Sequence, residues 1–175
     1  MTQNGTPSFT ELINSARVSA VHLELRDHYS VAEEASEVAK WSSGEPVDVD
    51  PDSAYWEGWS DLVRRAVARG VSVRRARVVS VPVTDYVRYE HHITSVNLAI
   101  GEQVRWLPRS EASVLALPGN DFWLVDGRAV RFNLFDGPGA ALDPQYTDDP
   151  SAVELCANAF EAVWARGVEH EKFAV

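Results

Sequence analysis

Three polar side chains alternate with apolar residues near the start of the chain. His22, Glu24 and Arg26 share one side of the predicted strand 20–27, and Asp27 follows at its carboxyl end. In open α/β sheets ligands bind outside the carboxyl ends of strands, so these residues predict a polar pocket for a charged or hydroxylated ligand. The alternative is a solvated strand face whose side chains pair with neighbouring strands.

The same residues also allow an enzymatic interpretation. His22 with Glu24 or Asp27 has the chemistry of an acid–base pair. An imidazole titrates near neutral pH, and a neighbouring carboxylate shifts its pKa. The alternative function is therefore a hydrolase or transferase that uses His22 with Glu24 or Asp27.

A second group of candidate ligand- or partner-binding residues lies in the middle of the chain. It consists of Arg105, Trp106, Arg109, Asn120 and Asp121. Arginine, tryptophan and asparagine together favour recognition of a planar or anionic ligand by stacking and forked hydrogen bonds. The alternative is that Asn120 and Asp121 are turn residues and that Trp106 packs in the core.

The sequence predicts no metal site and no cofactor. His91 and His92 are adjacent, and adjacent helical side chains diverge by about 100 degrees, so the two rings do not easily reach one ion. Cys156 falls on the apolar stripe of a predicted helix, which is typical of a small core residue and not of a nucleophile. The glycines lack the spacing of a phosphate loop.

The formal net charge of −10 is distributed unevenly. By segment it is −9 for residues 1–61, +5 for 62–131 and −6 for 132–175. Six arginines lie between Arg64 and Arg77, and they could meet the acidic segment 33–52, an acidic partner or a DNA phosphate. The negative charge of the whole chain disfavours direct nucleic-acid binding.

Helices and strands alternate in the predicted secondary structure that must position these residues. The first half predicts a helix over 8–16, the strand 20–27, a short helix and an acidic loop within 33–52, a helix over 52–69 and a strand over 71–79. Ser8 and Glu11 form a capping box, and Gly70 is where a helix takes its left-handed terminator. A strand that follows a helix so closely is typical of an α/β unit.

The second half predicts one helix, a run of strands and a closing helix. These are a helix over 83–98, strands over 103–107, 113–117, 122–125 and 129–135, and a helix that starts at Asp149 and Pro150. Asp126 and Gly127 are a strong hairpin signal between the last two strands. Tyr86 and Glu90 fall on one side of the first of these helices.

Composition and length predict one folded domain over residues 1–175, with an α/β mixed sheet flanked by helices. The chain has 175 residues, of which 45% are hydrophobic and 24% charged. Residues 8–52 would supply an N-terminal helix, strand and acidic loop, 53–135 a helix and strand core, and 149–175 a closing helix and tail. We expect no membrane span and a cytoplasmic location, because no apolar run reaches ~20 residues and the start lacks a secretory signal.

Three segments resemble one half of a phospholipase-D-like domain. They are LVRRAVARGVSVRRARVV at 62–79, FWLVDGRAVRF at 122–132 and AVELCANAFEAVWARGV at 152–168. In catalytic members, a His and a Lys two residues later precede the strand that ends in the Asp-Gly turn. The corresponding stretch LPGNDFWLVDG, residues 117–127, contains neither. The resemblance implies this fold without its catalytic His/Lys pair.

Four segments across nearly the whole chain are similar to an uncharacterised actinobacterial family, domain of unknown function 6879. They are HLELRDHYS at 22–30, GEQVRWLPR at 101–109, LPGNDFW at 117–123 and AFEAVWARGVEHEKF at 159–173. Members tend to be encoded beside helix-turn-helix regulators, and no activity is established for them. The resemblance implies a non-enzymatic regulatory or ligand-sensing protein that acts with a helix-turn-helix transcription regulator. The oligomeric state stays open, a homodimer included.

Overall fold

Seven strands form one mixed sheet in the computed structural model, which describes residues 7–175. The strands are β1 (Ser19–Glu24), β2 (Ser72–Val79), β3 (Gln103–Pro108), β4 (Asp121–Val125), β5 (Ala129–Asn133), β6 (Gln145–Thr147) and β7 (Val168–Glu169). Their order is β6-β5-β4-β1-β2-β3-β7. β1, β2 and β3 run parallel, and every other neighbouring pair is antiparallel. The predicted α/β class with a mixed sheet is confirmed.

Residues 7–175 form five α-helices, of which four cover the two faces of this sheet. The helices are α1 (Phe9–Ser15), α2 (Ala35–Ser43), α3 (Glu57–Ala68), α4 (Asp85–Ala99) and α5 (Pro150–Arg166). α5 packs on one face, α1, α3 and α4 pack on the other, and α2 packs on α4. Within residues 7–175, no helix has the length and apolar character needed to cross a membrane.

Local sequence signals define the ends of several elements. Ser8 Oγ accepts a hydrogen bond from the Glu11 backbone N–H, and the Glu11 carboxylate accepts one from Ser8 N–H, so the predicted capping box is confirmed. Asp126 has a left-handed backbone with φ of 53° in the turn between β4 and β5. Its Oδ1 accepts hydrogen bonds from the N–H groups of Val18 and Ser19, at 2.8 and 3.0 Å. The predicted hairpin is therefore tied to the start of β1.

The two faces of the sheet differ in polarity because side chains alternate along each strand. Under α5 the strands present apolar side chains, among them Val21, Leu23 and Phe122. On the other face the register places His22 beside Arg75, and Glu24 beside Arg77. A group of charged side chains therefore lies between the sheet and the helices α3 and α4.

Several predicted elements differ from the observed ones. The predicted strand 113–117 is wrong, because a 3-10 helix at Arg109–Ala112 leads the chain off the sheet after β3 and leaves this segment without a neighbouring strand. β1 ends at Glu24 and not at Asp27, because the Leu25 N–H bonds to the Asp121 carboxylate instead of a strand. The short strands β6 and β7 carry no alternating pattern long enough to predict.

Candidate functional site

A cavity of about 410 Å³ lies between the polar part of the sheet and the covering helices. Its floor comes from β1, β2, β4 and β5 and lies toward the carboxyl ends of the parallel strands β1 and β2. Ligand sites in open α/β sheets usually lie at these ends. The lining residues are Phe9, His22, Glu24, Tyr29, Val31, Glu34, Trp56, Trp59, Arg75, Arg77, Tyr86, Glu90, Ile93, Asn97, Asp121, Trp123, Arg131, Asn133 and Phe135.

Buried ion pairs hold the floor of the cavity in place. Glu24 lies between two arginines: Arg75 Nη1 is 2.6 Å from Glu24 Oε1, and Arg77 Nε donates to Glu24 Oε2. Arg75 also donates from Nε to Glu102 Oε1 at 2.8 Å, and Arg77 Nη2 lies 3.6 Å from Glu90 Oε1. Because the guanidinium groups of Arg75 and Arg77 both have carboxylate partners, these charges are buried without being left uncompensated.

The carboxyl groups of this network differ in protonation. Burial opposes ionisation of Glu24, but the guanidinium groups of Arg77 and Arg75 outweigh it and hold its pKa well below the usual range. Burial raises the pKa of Glu90, and Arg77 only partly offsets this effect. Glu24 is therefore a fixed anion, whereas Glu90 keeps its proton to higher pH than an exposed glutamate does.

His22 is a neutral imidazole within the cavity. Its ring stacks on Trp123 with centroids 4.4 Å apart, and it is only 7% exposed. Burial is the main reason that its pKa falls to about 3; Glu24 opposes this shift and the nearby arginines add to it. Among residues 7–175, no group makes a hydrogen bond to His22 Nδ1. Nδ1 is 3.4 Å from Glu24 Oε1, and Asn133 Nδ2 lies 3.4 Å from Nε2 on the other side of the ring.

One end of the cavity, which we call the basic end, combines arginine with aromatic rings. The rings of Phe9, Trp59 and Trp123 are packed together with centroids 5.2 to 6.0 Å apart. The Arg131 guanidinium lies 5.6 Å from the Phe9 ring centroid, and its Nη1 donates to Asn133 Oδ1 at 2.7 Å. Within the described part of the chain, Arg131 Nε is buried without a hydrogen-bond partner. This end therefore offers donors beside flat apolar surfaces.

The opposite end, which we call the acidic end, combines Glu34, Glu90 and Asp121 with tyrosines. Tyr86 Oη donates to Glu34 Oε2 at 2.8 Å, and Tyr29 Oη donates to Asp121 Oδ2. Burial raises the pKa of Asp121 to about 6 and also raises that of Glu34. These carboxyl groups are buried more deeply than their hydrogen bonds compensate, so a cation placed here would stabilise their ionised forms.

The acidic segment after β1 covers the acidic end. It supplies Glu34 from a short 3-10 helix, and Trp56, from the turn that follows the segment, lines the same end. Trp56 Nε1 donates to the Asp48 carbonyl at 2.8 Å, which fixes the loop between α2 and α3. This segment, predicted from composition as a helix and loop, is thus part of the cavity wall.

Comparison with known proteins places the chain in a family. A family model described as Domain of unknown function (DUF6879) matches residues 7–175. The chain belongs to this family. A search of curated proteins found no match.

Two solved structures are similar to this DUF6879 chain. The phospholipase D family member Nuc from Salmonella typhimurium has a TM-score of 0.53 and 12% identity, over 91% of this chain and 86% of Nuc. TrmBL2, an archaeal chromatin protein whose structure shows a novel mode of DNA binding, has a TM-score of 0.45 and 14% identity, over 90% of this chain and 47% of TrmBL2. The likeness to Nuc confirms the predicted phospholipase-D-like fold and shows the fold alone.

Of the predicted site residues, the cavity of this DUF6879 chain brings together His22, Glu24 and Asp121. Arg26 lies outside the cavity and donates to the backbone carbonyls of Asp136 and Gly137, at 3.2 and 3.4 Å. It therefore supports the loop behind Phe135 instead of facing a ligand.

Asp27 and Arg109 lie at the sheet edge and not in the cavity. Asp27 Oδ2 accepts from Ser80 Oγ at 2.6 Å and from Arg109 Nη2 at 3.2 Å. Arg109 also donates to the carbonyls of Leu25 and Val78, at 2.7 and 2.9 Å. These bonds satisfy the backbone where β1 and β2 end.

The remaining predicted residues are also separate from the cavity. Arg105 faces α5, where its Nη1 donates to the Trp164 carbonyl at 2.8 Å. Trp106 is fully buried and stacks on Phe173, which agrees with its interpretation as a core residue. Asn120 is exposed in the turn before β4.

Arg75 and Arg77 are the main site residues that sequence analysis did not select. They share the strand parity of Val73 and Val79, so their side chains face the same helices as those buried valines. Two charges on a face that helices cover are the signal that could have found them, since such charges require buried partners.

The arginine run between Arg64 and Arg77 contacts acids of its own chain. Besides the floor residues, Arg64 Nη1 lies 2.6 Å from Asp52 Oδ1 in the acidic segment, and Arg74 Nη2 lies 2.7 Å from Glu161 Oε1. Of the three partners considered for this run, the geometry favours the chain's own carboxylates.

The histidine pair and the cysteine have structural surroundings. His91 stacks on His170 with centroids 4.2 Å apart, whereas His92 lies near Trp41, so the two rings diverge as expected. Cys156 is fully buried against the sheet. Over residues 7–175, no three His, Cys, Asp or Glu side chains cluster as a metal ion requires.

Proposed function

We propose that this DUF6879 chain is a non-enzymatic regulatory protein that binds a small molecule. The observation that carries the proposal is the cavity of about 410 Å³, whose size and aromatic walls are typical of a small-molecule site. Its charged floor is held by paired groups on adjacent strands, so polar contacts to a ligand would be fixed in advance. This organisation favours selective binding.

The chemistry of His22 and Glu24 supports binding more than catalysis. A histidine with a pKa of about 3 is a weak general base, because proton affinity near the working pH is what makes a base effective. Glu24 is held as an anion between two arginines and is a poor proton donor. Asp27, the other predicted partner of His22, is engaged with Ser80 and Arg109 outside the cavity.

Native mass spectrometry of the full chain, purified gently from cells that encode it, tests small-molecule binding. We expect a stoichiometric small-molecule adduct that Trp59→Ala removes, because Trp59 forms a cavity wall. Trp164→Ala is the matched control, since Trp164 is equally half-buried but packs on the opposite face of the sheet. Absence of any adduct, or equal loss in both variants, would overturn the proposal. The same spectra count the chains per particle and so test a homodimer.

The regulatory part of the proposal concerns a helix-turn-helix transcription regulator as partner. Its support is the resemblance to a family whose members are encoded beside such regulators. Mixing the chain with the regulator encoded next to it should give a complex on gel filtration and change the regulator's affinity for its operator DNA. An unchanged operator affinity and no complex would overturn this part, whether or not the cavity binds a ligand.

A further inference from the structure

Apart from the ion-paired groups of the floor, the charged groups of the cavity are separated by sign along the strands. His22, Trp123 and Arg131 form one cross-strand row, and Asp121 lies two residues before Trp123 on β4. Two residues along a strand correspond to about 7 Å. The basic end and the acidic end are thus one pleat repeat apart, with aromatic side chains on both.

Two of the three carboxylates at the acidic end, those of Glu34 and Asp121, have no cation beside them in the described part of the chain. Among the described residues, no Lys or Arg nitrogen lies within 4 Å of the Glu34 or Asp121 carboxylate, and only Arg77 approaches Glu90, at 3.6 Å. Their partners are tyrosine hydroxyls and one backbone N–H. The buried Asp121 and the half-buried Glu34 would be stabilised by a ligand group that carries positive charge and donates hydrogen bonds.

The basic end has the opposite deficiency. Arg131 has no carboxylate within 4 Å in the described part of the chain, and its Nε has no hydrogen-bond partner there. A buried donor without an acceptor costs free energy that a bound anion would recover.

We propose that the cavity binds a zwitterionic small molecule, with its ammonium group at the acidic end, its carboxylate at the basic end, and a flat apolar body between the aromatic walls. The carboxylate would accept from Arg131, and the ammonium group would donate to Glu34 and Asp121. The rings of Trp59 and Trp123 at one end, and of Tyr86 and Phe135 at the other, would cover the body. This inference rests on the proposed ligand-binding function.

A set of three size-matched probes tests the separation of charge. 4-(Aminomethyl)benzoate carries both charges at opposite ends of one ring, 4-methylbenzoate carries only the anion, and 4-methylbenzylamine carries only the cation. In ligand-observed NMR titrations of the full chain, we expect the zwitterion to bind about tenfold more tightly than either singly charged probe, since each charged group gains a buried partner.

Two variants assign each charge to its end. Arg131→Gln should reduce the affinity for the zwitterion to that of 4-methylbenzylamine, and leave 4-methylbenzylamine itself unchanged. Glu34→Gln should reduce the affinity for the zwitterion to that for 4-methylbenzoate. The amide oxygen of the new side chain can still accept the hydrogen bond from Tyr86 Oη. Arg128→Gln on the same hairpin and Glu33→Gln beside Glu34 are exposed controls that should bind all probes as the natural chain does.

The outcomes separate this inference from the proposed function. Equal affinity for all three probes, or equal effects of Arg131→Gln and Arg128→Gln, would overturn the zwitterion and leave small-molecule binding in place. No binding of any probe at millimolar concentration would also overturn the zwitterion. The proposed function falls only if native mass spectrometry finds no adduct either.

Discussion

His22 is buried as a neutral ring on the central strand of the sheet. Its folded-state pKa of about 3 lies below the ordinary value of 6.5, so the unfolded chain binds the extra proton as pH falls. The neutral ring therefore contributes stability that is fully present above pH 6.5 and is lost between pH 6.5 and 3. Asp121 contributes with the opposite sign, because its raised pKa of about 6 favours the folded state as pH falls.

Replacing His22 isolates its contribution. Between pH 7 and pH 5, the free energy of unfolding of the natural chain should fall by about 2 kcal/mol more than that of His22→Gln. The figure comes from the interval of about 1.5 pH units between the ordinary pKa and pH 5, at about 1.36 kcal/mol per unit. Urea titrations of both chains at several pH values measure this difference. His28→Gln, which removes an exposed imidazole, is the control. A difference that does not change with pH would contradict a neutral buried His22.

Glu24 compensates two buried guanidinium groups at once. Glu24→Gln should lower the free energy of unfolding by about 3–5 kcal/mol, because it leaves Arg75 and Arg77 without their shared anion. Glu161→Gln removes the partner of Arg74 at the surface and should cost less than about 1 kcal/mol. Chemical denaturation of the two variants side by side checks the comparison. Similar losses would mean that the buried network contributes no more than a surface pair.

Sequence patterns predicted only part of the site at residue scale. Alternation along β1 correctly placed His22 and Glu24 on one face, because side-chain parity is a local property of a strand. Arg26 continues that pattern and Asp27 was predicted at the carboxyl end of the strand, but both lie beyond β1, which ends where Leu25 N–H donates to Asp121. The partners Arg75 and Arg77 depend on the parallel register of β1 and β2, which no local pattern contains.

Among the loops, the one at residues 136–140 packs closely on the segment after β1. Gly139 has φ of +102°, and a Cβ there would lie 3.1 Å from Ser30 N and 3.3 Å from Tyr29 Cα. Its carbonyl also accepts from Ser30 N–H at 2.9 Å. Only glycine fits this contact without displacing the chain that carries Tyr29 into the cavity.

Substitution of Gly139 should therefore destabilise the protein in a site-specific way. Gly139→Ala should lower the free energy of unfolding by about 1–3 kcal/mol, from backbone strain and the close approach to Ser30. Gly137→Ala, two residues away and with open space around its Cα, should have little effect. Thermal unfolding followed by circular dichroism checks both variants. A neutral Gly139→Ala would show that this loop is not held against Tyr29.

Elements with complete local signals were predicted well. α5 begins at an Asp-Pro cap and the β4–β5 hairpin turns at Asp126, because caps and tight turns are fixed by nearby residues. The prediction of a strand over 113–117 failed because its apolar residues, among them Leu115 and Leu117, also suit an irregular segment packed on α5. A segment becomes a strand only when it pairs with a neighbouring strand, and that pairing depends on the arrangement of the whole sheet and not on the local sequence.

At the scale of the whole molecule, α5 covers the sheet face opposite the cavity. The reactivity of Cys156, which lies on α5, measures how often this helix separates from the sheet. The thiol is fully buried and burial raises its pKa to about 11. The Cys156 thiol should react with a chromogenic disulfide reagent at pH 8 on the order of 100-fold more slowly than an exposed thiol on the same helix. The double variant Asn158→Cys with Cys156→Ala provides that exposed thiol. Comparable rates would show that α5 opens independently of the sheet.

The floor and the cover of the cavity are built differently. Glu24, Arg75 and Arg77 project from adjacent central strands that α5 supports from behind. Glu34 and Trp56 come from a chain excursion between β1 and α3 that contains α2. A rearranged floor would separate paired strands, whereas a displacement of the excursion would leave the sheet intact. If the proposed small molecule binds, we expect its effect on the surface to be a change in the position of α2, and we expect a protein that responds to binding to contact that excursion.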